Sequence, residues 1–227
     1  MEKVAFIGGY DKTDMLLYIA KILTVLKNRV LIIDTTILQK SRYIVPVMAP
    51  AQKYITTYED IDVAVGFKGF EDIKNYLSVQ ELEYEYVLLD IDSSIYYELY
   101  QVGQNDKQFF VTSFDLYSLR KGLGAFTRLR TEVNVTKVLF TKDMLQEEDD
   151  YLNFLSKNLK VRWNSDIVFF PFETADLNAI YVNQRKAKIG FTGLSNAYMD
   201  SIMFLTEEIS GKTQGEVKKA VKIIREN

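Results

Sequence analysis

Near the N-terminus, Gly8-Gly9-Tyr10-Asp11-Lys12-Thr13-Asp14 sets two glycines, a lysine and a hydroxyl residue directly after a short apolar run. These residue types in this order can bind phosphate. Glycines let backbone N–H groups wrap phosphate oxygens, a lysine ammonium balances their charge, and a Ser/Thr hydroxyl reaches Mg²⁺. Further along, Asp34 and Asp90 each close an apolar run, Val30–Ile33 and Tyr86–Leu89. The chain has no Cys and no His. That removes disulfides, thiolate nucleophiles, Cys/His zinc sites and imidazole acid–base catalysis. Ser93-Ser94, close to Asp90 and Asp92, therefore lacks the ordinary base for a serine nucleophile.

The elements that must hold these residues read as follows. Val4–Ile7 is a buried strand ending in the glycines, and Met15, Leu16, Ile19, Ile22, Leu23 and Leu26 recur at helical spacing over Thr13–Lys27. Arg29–Asp34 is the next strand. Together they predict one βαβ unit with a right-handed crossover. Strands are further expected at Tyr86–Asp92, Gln108–Thr112, Lys137–Phe140 and Ile167–Phe170. Helices are expected at Glu71–Leu77, Ser118–Arg130, Tyr151–Leu159, Leu194–Ser210 and Glu216–Arg225. Tyr43–Phe67, broken by Pro46 and Pro50, shows no clear period. Alternating strands and helices predict an α/β fold: a single domain over 1–227, with a mostly parallel sheet covered on both faces and a C-terminal helix or tail over 212–227. In such sheets ligands sit at the C-terminal strand ends, where Gly8–Thr13, Asp34 and Asp90 should meet.

Composition narrows the partners. The 227 residues are 48% hydrophobic, enough for a packed core, and the net charge of −3 gives no global pull toward nucleic acid. Arg120, Lys121, Arg128 and Arg130 read as a solvated helix face, as does the acidic start Gln146–Asp150. The N-terminus does not read as a signal peptide, and no run of about 18 apolar residues predicts a membrane span. A cytoplasmic protein is expected, peripheral to a membrane at most. The helix Glu216–Arg225 is basic and amphipathic but short, so packing on the domain is favoured over membrane docking. Ser210-Gly211-Lys212-Thr213 follows a helix, not a strand, and reads as a helix cap and turn.

Taken in order, the motifs resemble the ParA/MinD family of P-loop ATPases (deviant Walker A, SIMIBI class), whose loop reads Gly-Lys-Gly-Gly-x-Gly-Lys-Thr-Thr/Ser. Gly8, Gly9, Lys12 and Thr13 match it. Phe6 stands at the first glycine, Ile7 at the signature lysine, Asp11 at the glycine before the P-loop lysine, and Asp14 at the closing hydroxyl residue. Arg29–Asp34 resembles the family's second strand and its aspartate, with Thr36 where a further acidic residue is implicated in hydrolysis. Tyr86–Asp90 is similar to the Walker B strand, followed by Ile91-Asp92-Ser93-Ser94 in place of a Ser/Thr-Pro switch. Thr141-Lys142 falls where an Asn-Arg/Lys pair meets adenine, and Phe169–Glu173 resembles an Ile-Pro-Tyr-Asp segment. The resemblance implies ATP or ADP at Gly8, Gly9, Tyr10, Asp11, Lys12, Thr13 and Asp14 with Thr141 and Pro171 beside the base, and Mg²⁺ at Thr13, Asp34 and Asp90.

The substitutions weaken that expectation. Asp11 sets a carboxylate beside bound phosphates. Two like unit charges 4 Å apart repel by about 1 kcal/mol in water and about 4 kcal/mol at an effective dielectric of 20. Ile7 removes a cation that the resemblance places across a dimer interface. Lys12 is therefore expected to be neutralised by Asp11, Asp34 or Asp90. The function implied is that of a degenerate ParA/MinD-like factor, similar to the TadZ-like group. It would position, scaffold or regulate a larger assembly such as a pilus or secretion system through protein contacts and a homodimer. Hydrolysis would be weak or absent, and no sequence-specific nucleic acid is expected. The alternative is a working ATPase whose ATP-driven dimerisation controls membrane or DNA association.

Overall fold

The computed structural model describes residues 1–49, 51–171 and 173–226, so Pro50, Phe172 and Asn227 lie outside the described residues. The chain runs β1 (Glu2–Ile7), α1 (Thr13–Val25), β2 (Val30–Asp34), α2 (Ser41–Ile44), β3 (Tyr54–Tyr58), β4 (Ile61–Val65), α3 (Phe70–Leu77) and β5 (Tyr86–Ile91). It continues through α4 (Ser94–Leu99), β6 (Lys107–Thr112), α5 (Leu116–Gly124), β7 (Val133–Leu139), α6 (Gln146–Ser156), β8 (Val161–Phe169), α7 (Thr174–Lys186), α8 (Asn196–Ser210) and α9 (Gln214–Glu226). One eight-stranded sheet results, in the order β3-β4-β2-β5-β1-β6-β7-β8. Every neighbouring pair is parallel except the β3–β4 hairpin. The α/β expectation, a mostly parallel sheet with helices on both faces, is what the chain adopts.

Strand side chains alternate between two cores, as a pleat requires. Val4, Phe6 and Ile32 join Met15, Leu16, Ile19, Ile202 and Val217, which belong to α1, α8 and α9. Ala5, Ile7, Leu31 and Ile33 join Ile73, Tyr97, Leu119 and Leu152 from α3 to α6 on the other face. Both faces of β1 and β2 are therefore apolar, which explains their unbroken hydrophobic runs. Ile7, standing where a lysine was expected, is fully buried in the second core.

The C-terminal segment packs on the domain. Val217, Ala220, Val221 and Ile224 of α9 are buried, while Lys218, Lys219, Lys222 and Arg225 are exposed. Burying a Val or Ile side chain contributes roughly 1.5–3 kcal/mol. That apolar stripe is used against α1 and α8. Gly211 takes a left-handed conformation at φ 65° and caps α8, so Ser210–Thr213 is the expected turn. Among the described residues, no helix is long and apolar enough to cross a membrane.

Candidate functional site

The register of β2 on β5 sets Asp34 directly opposite Asp90, and β1 on β5 sets Phe6 opposite Asp90. The turn leaving β1 therefore starts beside two carboxylates at adjoining strand ends. That turn is pressed from below. A Cβ on Gly8 would lie 1.9 Å from the Val111 carbonyl oxygen of β6. A Cβ on Gly122 of α5 would lie 2.7 Å from the Phe110 ring and 3.2 Å from both Gly8 Cα and Gly9 N. Only glycine permits backbones this close.

Lys12 turns inward. Its Nζ sits 2.6 Å from Asp90 Oδ1 and donates to the Gly8 carbonyl at 3.0 Å, with the side chain 1% exposed. Asp90 is one of the three carboxylates expected to neutralise it. Burial pushes the Asp90 carboxyl up, to about 7; Lys12 opposes the rise and Asp34 adds to it. A pair this deep gains Coulomb energy only against a large desolvation cost, so it is held by the fold.

Asp11 does not touch Lys12. Its carboxylate accepts the Thr13 N–H at 3.1 Å and pairs with Lys40. Lys40 Nζ also reaches Asp14 Oδ2 at 3.0 Å, and Gln184 Nε2 donates to both Asp14 oxygens, at 2.9 and 3.0 Å. Burial works against the Lys40 charge, but Asp14 and Asp11 outweigh it and hold the ammonium above its ordinary range. The two acidic departures in the loop thus share one cation, brought from the segment after β2.

That segment is tied down at two more points. Asp34 accepts from Thr36 N at 3.0 Å, Thr36 Oγ1 at 2.6 Å and Ser41 N at 3.1 Å. Asp92 Oδ2 accepts the Ile37 N–H at 3.2 Å and lies 3.5 Å from Lys121 Nζ of α5. Asp92 Oδ1 is buried and, among the described residues, has no hydrogen-bond partner. The result is a cleft of about 400 Å³, floored by Gly8, Gly9, Lys12, Thr13, Asp90 and Asp92 and edged by Tyr10, Asp11, Lys40, Ile37, Leu38, Tyr43 and Tyr117. Two larger hollows, about 670 and 610 Å³, are lined by no residue of the loop.

The sequence-predicted residues divide accordingly. Gly8, Gly9, Tyr10, Asp11, Lys12, Thr13 and Asp90 line the cleft. Asp14 lines a smaller hollow of about 140 Å³ beside it, with Tyr10, Phe140 and Tyr198. Asp34 lies behind the cleft, engaged with its own loop. Thr141 and Pro171 line neither hollow, and the Thr141 hydroxyl donates to the Asp143 carbonyl at 2.9 Å. Lys40, Lys121 and the apolar rim carry no signal in the sequence, because each meets the loop only through tertiary packing.

As the side chains stand, a bound phosphate would compete with internal partners for the loop's donors. The cradle needs free N–H groups and a free ammonium. Here the Thr13 N–H already serves Asp11, and the Lys12 ammonium already serves Asp90. Mg²⁺ at Asp34 would likewise compete with Thr36 and the Ser41 N–H, since both Asp34 oxygens accept internal hydrogen bonds.

A strand, a glycine turn and a helix at the centre of a parallel sheet, with aspartates closing two neighbouring strands, define the P-loop NTPase architecture. Within it, the chain has the ParA/MinD-like fold. It superposes on a chain of the MinC:MinD cell division protein complex from Aquifex aeolicus with a TM-score of 0.58 at 15% identity, over 94% of this chain and 97% of that one. A putative plasmid partition protein from Borrelia burgdorferi B31, bound to AMPPNP, gives 0.52 at 11% identity over 92% and 98%. A ParA family ATPase from Chlorobium tepidum TLS gives 0.51 at 14% identity over 97% and 96%. No family model matches the sequence, and no curated protein matches it.

Proposed function

We propose that this chain is a ParA/MinD-fold positioning or scaffolding factor. It acts through protein contacts, as a homodimer or with partners of a larger assembly, while its phosphate loop is neutralised by its own side chains. The observation that carries this reading is the double internal pairing of the loop. Lys12 is buried on Asp90 at 2.6 Å, and Asp11 uses the Thr13 N–H that a phosphate would need. Phosphate entry must break the first pair and displace the second. Both exchanges oppose nucleotide binding, because Lys12 and the Thr13 N–H give up existing partners when phosphate enters.

The same fold can carry an active cycle, and the Borrelia neighbour holds a nucleotide analogue. Calorimetry separates the two. The scaffold reading expects weak or absent Mg-ATP binding and an association state that ignores nucleotide. Tight Mg-ATP binding lost on Lys12→Ala, with turnover lost on Asp90→Ala, would establish the ATPase reading instead.

A further inference from the structure

We infer that the cleft over the phosphate loop receives a cationic side chain, arginine or lysine, carried on an apolar segment of a partner protein. The inference rests on the reading that the loop works without nucleotide, and it names the chemistry of the partner at that same site.

Charge is the first argument. The cleft is lined by three carboxylates, Asp11, Asp90 and Asp92, against two ammonium groups, Lys12 and Lys40, with Asp14, Asp34 and Lys121 just outside it. A phosphate cradle carries net positive charge; this one does not. An approaching phosphate meets repulsion from the uncompensated carboxylates, while a cation meets attraction, strengthened by the low-dielectric walls of a cleft.

Asp92 is the second argument. It is 8% exposed and lines the cleft. One oxygen holds the Ile37 N–H, while the other is buried without a donor. A buried acceptor left unpaired is destabilising unless something brings it a donor. A guanidinium carries five donors in a planar fork and suits a carboxylate whose second oxygen is free.

The rim is the third. Ile37, Leu38, Tyr43 and Tyr117 are between 69% and 80% exposed around an acidic floor. An apolar ring that excludes water around a buried charged contact is how strong interface contacts are built. The matching segment is one basic residue flanked by apolar ones. Ile37 donates its N–H to Asp92, which ties this part of the rim to the acidic floor.

The probe is the tripeptide acetyl-Leu-Arg-Leu-amide, titrated into the isotopically labelled full chain and followed by backbone amide NMR. Its neutral isostere, with citrulline for arginine, is titrated in parallel. Saturable shifts at Ile37, Leu38, Asp92 and Tyr117 are expected, with the citrulline peptide at least about tenfold weaker. Asp92→Asn should erase that preference, and Asp200→Asn, at an exposed position of α8, should keep it. Equal binding of the two peptides, shifts away from the cleft, or an unchanged preference in Asp92→Asn overturns the inference. The wild-type comparison decides the matter even if Asp92→Asn disturbs the loop. Concentration-dependent shifts at the same amides without peptide would show a second copy of the chain in the cleft and overturn the partner assignment. A parallel Mg-ATP titration keeps the two readings apart. If neither peptide nor nucleotide binds, only the cation inference falls. If Mg-ATP binds and moves the Lys12 signals, the nucleotide-free reading falls with it.

Discussion

Replacing Asp11 with glycine should make the protein less stable and a better nucleotide binder at once. The stability loss has three parts. The Lys40 pair is half-exposed, with Asp11 48% accessible, so it contributes about 0.2–1 kcal/mol. The side-chain bond to the Thr13 N–H, at the mouth of α1, contributes roughly 1 kcal/mol. Extra chain freedom of glycine removes about 0.5–1 kcal/mol more. Together the variant loses about 2–3 kcal/mol, or a melting temperature lower by roughly 5–10 °C for a domain of this size. Nucleotide affinity moves the other way. A carboxylate near 4 Å from a phosphate charge costs between about 1 and 4 kcal/mol, depending on screening. At half-exposure a middle figure of about 2 kcal/mol applies, so affinity should rise roughly thirtyfold. Calorimetry with Mg-ATP and a thermal melt on the same preparations read both signs. An Asp11→Gly protein that is destabilised but gains no affinity would refute the argument that this carboxylate stands in for phosphate. Unchanged stability would refute the pairing itself.

Gly8→Ala should be destabilised by more than 3 kcal/mol, because its Cβ would meet the Val111 carbonyl, a backbone atom that cannot step aside; chemical denaturation checks this. The Asp90 carboxyl titrates higher in the folded chain than in the unfolded one, so the folded state binds the extra proton between its ordinary pKa and about 7. Its contribution to stability therefore falls as pH rises through that window, and Asp90→Asn should flatten that part of a stability–pH profile measured by denaturation.

The central βαβ unit was readable because its strands are buried on both faces and its turn needs glycine for close approach. β5 was readable for the same reason, as an apolar run ending in an acid. The β3–β4 hairpin was not. β3 is an edge strand whose middle residues are only partly buried, so it shows no continuous apolar run. Its turn residues Glu59 and Asp60 both have positive φ, 50° and 67°, the conformation usually signalled by Asn-Gly. α7 escaped because only Asp176 and Ile180 along it are buried, which leaves no periodic stripe. In the site, Lys12 and Asp90 were legible as partners because strand ends converge. The role of Lys40 was not, since it depends on how the segment after β2 folds back across the loop from 29 residues away.

The pattern of substitution also carries a physical logic. Asp11 and Asp14 taken singly would each leave a carboxylate beside the loop, and the two would repel across a single turn of chain. Lys40 between them turns the repulsion into a bridge, with Gln184 fixing the far side of Asp14. Ile7 fits the same scheme. A lysine there would have to leave the core that Ile7 now shares with Ile33, Leu89 and Phe110. Positive charge enters from Lys40, at the lip of the cleft, where Asp11 and Asp14 both pair with it. The loop keeps its backbone path, held by Gly8 and Gly122, while its charge is spent on fixing the segment that covers it. Different residues thus fix the shape and the charge of this site: glycines set the backbone path, while Lys40, Asp90 and Gln184 take up its charged side chains.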